Sequence, residues 1–240
     1  MTLPREMIDA TVKRSLADGI MPMTATPPRP CALPPIFLAV PSMAWSWTVC
    51  TRAIMMLQPQ LPAGSKCAIG FGQVTDVASA RNHLVDDFLK TSLKYVLFLD
   101  SDMLPPPDTG LRMLCAAEQR NLDVLAAPYC KRGPPYEVTA VLKTDGKADA
   151  LVETPVSGVH EILSTGFGCV LVHRRVIEKM TGPHFEYPEG RPHEKEDTYF
   201  CQKAIAAGFR LWADFSLEVG HVTPAAVTIR AGVTNVDVIL

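Results

Sequence analysis

YVLFLDSDM, Tyr95–Met103, sets five consecutive apolar residues directly before two aspartates separated by a single serine. An apolar run of strand length with no polar alternation is expected of a strand buried on both faces, as in a parallel sheet covered by helices. The theme recurs around it. IFLAV, Ile36–Val40, is a second such run that stops at Pro41-Ser42; Lys66–Phe71 and Leu122–Ala127 are further strands. Trp47–Leu57 and Val77–Lys90 carry apolar residues at helical spacing, and Asp108 stands where its carboxylate can cap a helix over Leu111–Arg120. Short apolar strands alternating with amphipathic helices predict an α/β fold with a mostly parallel, Rossmann-like central sheet flanked by helices. Ligands of such sheets bind beyond the carboxyl ends of the strands, which directs attention to Asp100 and Asp102.

The rest of the chain bounds the function. It has 240 residues, 48% of them apolar, enough for one domain with a real core. Lys+Arg number 23 against 25 Asp+Glu, a formal charge of −2, which argues against a broad basic face for nucleic acid. Residues 1–35 read as an extended arm, because prolines at 22, 27, 28, 30, 34 and 35 block both helix and ladder pairing; the folded domain is 36–240. No transmembrane run or secretory leader is present, which implies a cytoplasmic protein. The seven cysteines (31, 50, 67, 115, 130, 169 and 201) include no CxxC pair and are odd in number, so free buried thiols are expected rather than a disulfide framework.

Two carboxylates two residues apart on an extended chain point the same way and repel unless a cation lies between them. Hard oxygen donors suit Mg²⁺ or Mn²⁺, which in turn bind phosphate oxygens; the plainer account is an Asx turn with solvated aspartates. Other groups invite similar pairs of readings. The Arg81 guanidinium can bind a diphosphate bidentately or pair with Asp86 or Asp87 on its own helix. Asp76 can accept an N–H from a nucleobase, beside the backbone of Pro41 and Ser42. Gly166-Phe167-Gly168 either admits a sugar close to the backbone or is a tight turn, and no GxxxxGK[ST] phosphate loop exists. Glu196 and Asp197 open a helix that Gly208 can cap, where acids are favoured by the dipole alone. The loops 130–136 and 181–195 shape specificity, with Phe185 and Tyr187 available to stack on a sugar or simply to pack. His184 and His193 have no zinc spacing.

The acidic pair occurs in two phosphate-handling chemistries. Aspartyl-phosphate hydrolases of the haloacid dehalogenase group place Thr or Val two residues after the second Asp. Here that place holds Leu104 followed by three prolines, and the pair comes after two βα units. The other is the metal-dependent glycosyltransferase. FLAVPS (37–42), ASARNHLV (78–85), DSD (100–102) with MLPPPD, STGFGCVLVHRRV (164–176), EKEDTYFCQKAIAAGFRLWAD (194–214) and VGHV (219–222) resemble, in the correct order, the segments of a GT-A fold, family-2-like glycosyltransferase.

That resemblance implies a GT-A fold and a hexosyltransferase-type enzyme that moves a sugar from a nucleotide-diphosphate donor to an acceptor hydroxyl with Mn²⁺ or Mg²⁺. It implies Asp102 as a direct metal ligand and His221 as a second. Asp100 works through ribose or a metal-bound water, or joins the ion, and Ser101 borders the donor with it. Gly166, Phe167 and Gly168 touch the donor sugar or the acceptor. Asp197, with Glu196 beside it, serves as base if the reaction inverts. The acceptor stays open among glycan, lipid-linked glycan, protein, small molecule and modified nucleic acid. The rivals are a sugar nucleotidylyltransferase, against which Val40–Trp47 lacks the required Gly-rich basic loop, and a non-catalytic nucleotide-sugar-binding module.

Overall fold

The apolar runs become the central strands of the computed structural model, which describes residues 33–42, 48–71, 76–133, 136–143, 150–151, 157–191, 194–222, 225–230 and 233–238. Residues 1–32 of the arm expected over 1–35, together with Trp47 and His193, lie outside the described residues.

Strands β1 (Ile36–Ser42) and β3 (Tyr95–Leu99) are buried along their whole length. Alternate residues go to opposite faces, as strand geometry requires. Phe37, Ala39, Val96 and Phe98 join one core layer, while Ile36, Leu38, Val40, Tyr95, Leu97 and Leu99 join the other. Helices α2 (Val77–Leu89), α4 (Arg174–Lys179) and α5 (Glu196–Ala206) cover the first face through Phe88, Ile177 and Phe200. Helices α1 (Thr48–Leu57) and α3 (Thr109–Arg120) cover the second through Leu57 and Leu114. Apolar burial on both sides is why these strands show no polar alternation.

The remaining strands are β2 (Lys66–Phe71), β4 (Met103–Leu104), β5 (Val124–Ala126), β6 (Ala140–Leu142), β7 (Ala150–Leu151), β8 (Val159–Thr165), β9 (Cys169–His173), β10 (Leu211–Asp214), β11 (Gly220–His221), β12 (Ala225–Arg230) and β13 (Val233–Val238). Among the described residues nine of the thirteen strands form one sheet in the order β2-β1-β3-β9-β5-β10-β8-β6-β7. Six strands (β2, β1, β3, β5, β10 and β6) run one way and three (β9, β8 and β7) oppose them. The sheet is thus mostly parallel in direction and flanked by helices, as its apolar runs predict. The chain passes from β1 to β2 on one side and then crosses back to β3 on the other, so the strand order reverses at β1, the position in such sheets where ligands bind beyond the carboxyl ends.

Three local expectations change. The first strand does not stop at Pro41-Ser42 but continues through them, opposite Gly70 and Phe71 of β2. Because β3 pairs only with Ile36–Ala39, one side of β1 is open from Val40 onward, where a residue without an N–H fits. Asp108 precedes α3 but its side chain makes no cap; its backbone is already helical (φ −89°, ψ −1°), and Thr109 N–H donates instead to Pro106 O at 3.1 Å. The strand expected at Leu122–Ala127 narrows to Val124–Ala126. Gly208, at φ +95°, follows α5 as the expected left-handed terminator. Cys50, Cys169 and Cys201 are buried free thiols.

Candidate active site

Beyond β3 the chain turns at once. Met103 N–H donates to Asp100 O at 3.1 Å, so Asp100-Ser101-Asp102 is a turn, with Ser101 half-buried within it. The expectation of two parallel carboxylates on an extended chain is therefore corrected: Asp100 and Asp102 face different partners.

Asp100 is anchored through its N–H to Gly168 O at 2.9 Å, and both its carboxylate oxygens accept from Arg81 Nη2 at 2.9 Å. Arg81 is 3% exposed, and its Nη1 donates to Glu196 Oε1 at 2.6 Å. The Phe167 and Phe185 rings lie 5.6 Å from its guanidinium carbon, and its Nε has no partner. Arg81 therefore does not pair with Asp86 or Asp87; Asp87 takes Lys90. Its terminal nitrogens are committed to carboxylates, which makes it a positioning cation rather than a ready diphosphate clamp. Glu196 is 6% exposed and turned onto Arg81. Asp197 stays half-buried and accepts from Thr198 N–H at 2.7 Å. Burial pushes the Asp100 and Asp197 carboxyls above their ordinary range; Glu196 adds repulsion and Arg81 opposes it.

The second aspartate belongs to a separate cluster. β4 and β11 pair antiparallel with Met103 opposite His221, and Val222 N–H donates to Asp102 O at 3.0 Å. This two-strand ladder brings Asp102 Oδ2 within 3.5 Å of His221 Nε2. His221 Nδ1 lies 2.9 Å from Cys130 O, a group that can only accept, so Nδ1 carries the proton and Nε2 presents its lone pair. Burial, with Arg132 nearby, lowers the imidazole's affinity for a second proton. Arg132 bridges the pair: its Nε donates to His221 Nε2 at 2.9 Å and its Nη2 to Asp102 Oδ2. Asp102 Oδ1 is buried and has no hydrogen-bond partner.

These residues fit a divalent ion. Asp102 Oδ1 is an orphaned carboxylate oxygen, and with Arg132 turned aside Asp102 Oδ2 and His221 Nε2 would offer a cation further lone pairs. A ligating histidine typically donates its other N–H to a carbonyl, as His221 does. Cis donors on an octahedral ion with bonds of about 2.1 Å are about 3 Å apart, close to the observed separation. Among the described residues no group of three or more His, Cys, Asp or Glu can hold a metal. Asp102 and His221 would give an ion two protein ligands and leave its other positions to phosphate oxygens and water.

The glycine turn answers to Tyr129. A Cβ on Gly168 would sit 2.6 Å from Tyr129 Cε1, and one on Gly166 2.4 Å from its Oη. Tyr129 Oη accepts from Gly168 N–H at 3.2 Å, and its ring meets the His221 ring edge-on at 5.1 Å. Gly168→Ala is expected to cost about 1–3 kcal/mol, the usual penalty of overpacking, read as a lower urea midpoint; unchanged stability would show that Tyr129 gives way freely. Phe167 is 0% exposed, packed with Phe98, Phe185 and Phe200, so its side chain does not meet a donor. Phe185 is buried in the same cluster, whereas Tyr187 is exposed. Asp76 caps α2, accepting from Ser79 N–H at 2.9 Å and Ser79 Oγ at 3.0 Å. Pro41 and Ser42 are buried at the end of β1.

Sequence reasoning missed Tyr129 and Asn82, and placed Arg132 no more closely than a basic pair in a loop. Asn82 ties α2 to the loop before α5, accepting from the His184 and Phe185 N–H groups and donating to Phe185 O at 2.7 Å. Its signal was the ASARNHLV segment, in which only the arginine drew attention. Beside His221, a cleft of about 350 Å³ opens between Tyr129-Cys130 and Phe215–Gly220, lined partly by Val138 and Leu217.

No protein-family model matches the chain, and no curated protein sequence matches it. Solved structures do. A197 from STIV superposes with a TM-score of 0.60 at 20% identity, over 85% of this chain and 93% of that one. GalNAc-T7, determined with UDP, GalNAc and Mn²⁺, superposes with a TM-score of 0.57 at 13% identity, over 92% of this chain. The chain spans about half of GalNAc-T7, 53% of its length. At these identities the likeness concerns architecture, which is that of a GT-A-like fold. No helix among the described residues is long and apolar enough to cross a membrane.

Proposed function

We propose that this chain is a metal-dependent glycosyltransferase that moves a sugar from a nucleotide-diphosphate donor to an acceptor hydroxyl. The observation that carries the reading is the pairing of Asp102 with His221, 3.5 Å apart across a two-strand ladder at the mouth of the sheet. The fold shared with GalNAc-T7, solved with UDP, GalNAc and Mn²⁺, supports it. A divalent ion held by Asp102 and His221 would stabilise, as a Lewis acid, the negative charge that grows on a departing diphosphate. The imidazole tilts the preference from Mg²⁺ towards Mn²⁺. Asp100, gripped by Arg81 at the end of β3, would accept from donor hydroxyls with its remaining lone pairs. The Asp100–Arg81–Glu196 chain fixes the start of α5 and so orients Asp197. In an inverting transfer Asp197 takes the proton of the acceptor hydroxyl as the new C–O bond forms. Burial raises its proton affinity above that of an ordinary aspartate, which strengthens it as a base.

The test is Mn²⁺-dependent turnover of a panel of UDP-sugars. Asp197→Asn is expected to lower kcat by about 10²–10⁴ while nucleotide binding persists. Because burial raises Asp197, wild-type kcat should fall on acidification through a limb above the ordinary aspartate range. Wild-type kcat in the asparagine variant would remove Asp197 from the reaction, and turnover without added metal would overturn the metal dependence.

A further inference from the structure

We propose that Arg132 is a ligand of the donor diphosphate that competes with the divalent ion for Asp102 and His221, so that metal binding is coupled to nucleotide binding. The inference rests on Asp102 and His221 being the metal donors. The Arg132 guanidinium bonds to the same two atoms that would hold the ion, His221 Nε2 and Asp102 Oδ2. Those atoms are 3.5 Å apart, so a guanidinium and a divalent ion cannot both lie against them. Binding the ion requires Arg132 to swing away.

The Arg132 side chain is built for that exchange. It is 46% exposed, on a long stem with many rotamers, whereas Asp102 is 20% and His221 15% exposed. The backbone around it is pinned: Lys131 N–H donates to Glu137 O at 2.8 Å, Tyr136 N–H donates to Gly133 O at 2.8 Å, and Cys130 bridges to Val138. The movement is therefore confined to the side chain.

Charge decides where the displaced guanidinium goes. Four carboxylates at the site (Asp100, Asp102, Glu196 and Asp197) face two guanidiniums, and Arg81 is held by Asp100 and Glu196. An ion coordinated by Asp102 and His221 draws a diphosphate to the same spot. A guanidinium fork matches phosphate oxygens in bidentate fashion. Ion and nucleotide together thus give Arg132 a new anionic partner, while the ion alone strips it of its old one. Metal without nucleotide should bind weakly, and each should strengthen the other reciprocally.

Mn²⁺ binding to the full chain can be followed by loss of the free-ion EPR signal, with and without UDP, in the wild type and in Arg132→Gln. Removing the competing charge is expected to tighten Mn²⁺ about ten-fold in the absence of UDP and to reduce the gain that UDP brings, within the usual range of coupling factors. Arg132→Lys, which keeps the charge but lacks the planar fork that meets two acceptors in a fixed geometry, should fall between. Equal or weaker Mn²⁺ binding by Arg132→Gln without UDP overturns the competition. An undiminished UDP-dependent gain overturns the diphosphate role. If the wild type and Arg132→Gln both fail to bind Mn²⁺ even with UDP, the metal reading itself falls and takes this inference with it.

Discussion

Arg81→Met is expected to destabilise the fold by about 3–5 kcal/mol, the cost of breaking a buried ion pair by removing one partner. Arg81 is 3% exposed and carries Asp100 on one terminal nitrogen and Glu196 on the other. Methionine fills a similar volume among Phe167 and Phe185, so the packing loss is small. What remains is two carboxylates with no counter-ion, and Asp197 nearby adds a third negative charge. The pH dependence has a definite sign. Burial already holds the Asp100 carboxyl above its ordinary range, and losing the opposing Arg81 raises it further. An acid raised in the folded state destabilises once the pH exceeds its unfolded pKa, and the penalty vanishes below it. The deficit of Arg81→Met should therefore be largest at neutral pH and shrink towards pH 4. Adding Glu196→Gln should recover part of the loss, since the two sites share one network. Urea denaturation at pH 7 and pH 4 measures both effects. A loss under about 1 kcal/mol at pH 7 would mean that water screens the pairs as it does at a surface.

The sheet was legible in the sequence because burial on two faces leaves a local mark. Ile36–Val40 and Tyr95–Leu99 announce themselves as strands without knowledge of their partners. The site was legible only in its residue types. Asp102 and His221 were paired by resemblance, but their contact depends on a two-strand ladder between Met103-Leu104 and Gly220-His221, and two-residue strands have no periodicity to read. Arg81 illustrates the same limit. Its helix offers Asp86 and Asp87 close in sequence, yet its partner Glu196 lies 115 residues away. Which face of an amphipathic helix an arginine joins is set by what the rest of the chain brings to it. The glycines of 166–168 correctly signalled a close approach, but the group that approaches is the Tyr129 ring. A missing Cβ records that space is needed and not who takes it. Asp76 and Asp108 show that a capping residue type is no guide to its use. The first caps its helix with both oxygens, while the second is helical itself and caps nothing.

Asp102→Asn is expected to lower Mn²⁺-supported turnover by about 10²–10³, equivalent to about 3–4 kcal/mol of lost transition-state stabilisation. It should do so with little loss of folding stability. The carboxylate of Asp102 makes one ion pair, to a half-exposed Arg132, and its other oxygen is buried without a partner. A buried oxygen left unsatisfied contributes nothing to the fold, and an amide relieves the charge beside it. The anionic donor of a divalent ion is lost all the same, because a neutral amide oxygen binds such an ion far more weakly. Asp100 provides the contrast. Both of its oxygens are bonded to Arg81, so Asp100→Asn removes a buried charge partner and should weaken the fold first. The two aspartates stand two residues apart yet should separate cleanly when thermal stability is plotted against Mn²⁺ affinity. Asp102→Asn should move along the affinity axis, and Asp100→Asn along the stability axis. If Asp102→Asn keeps both its Mn²⁺ affinity and its turnover, Asp102 is no metal ligand. The pair it forms with His221 would then be only the packing of a strand end.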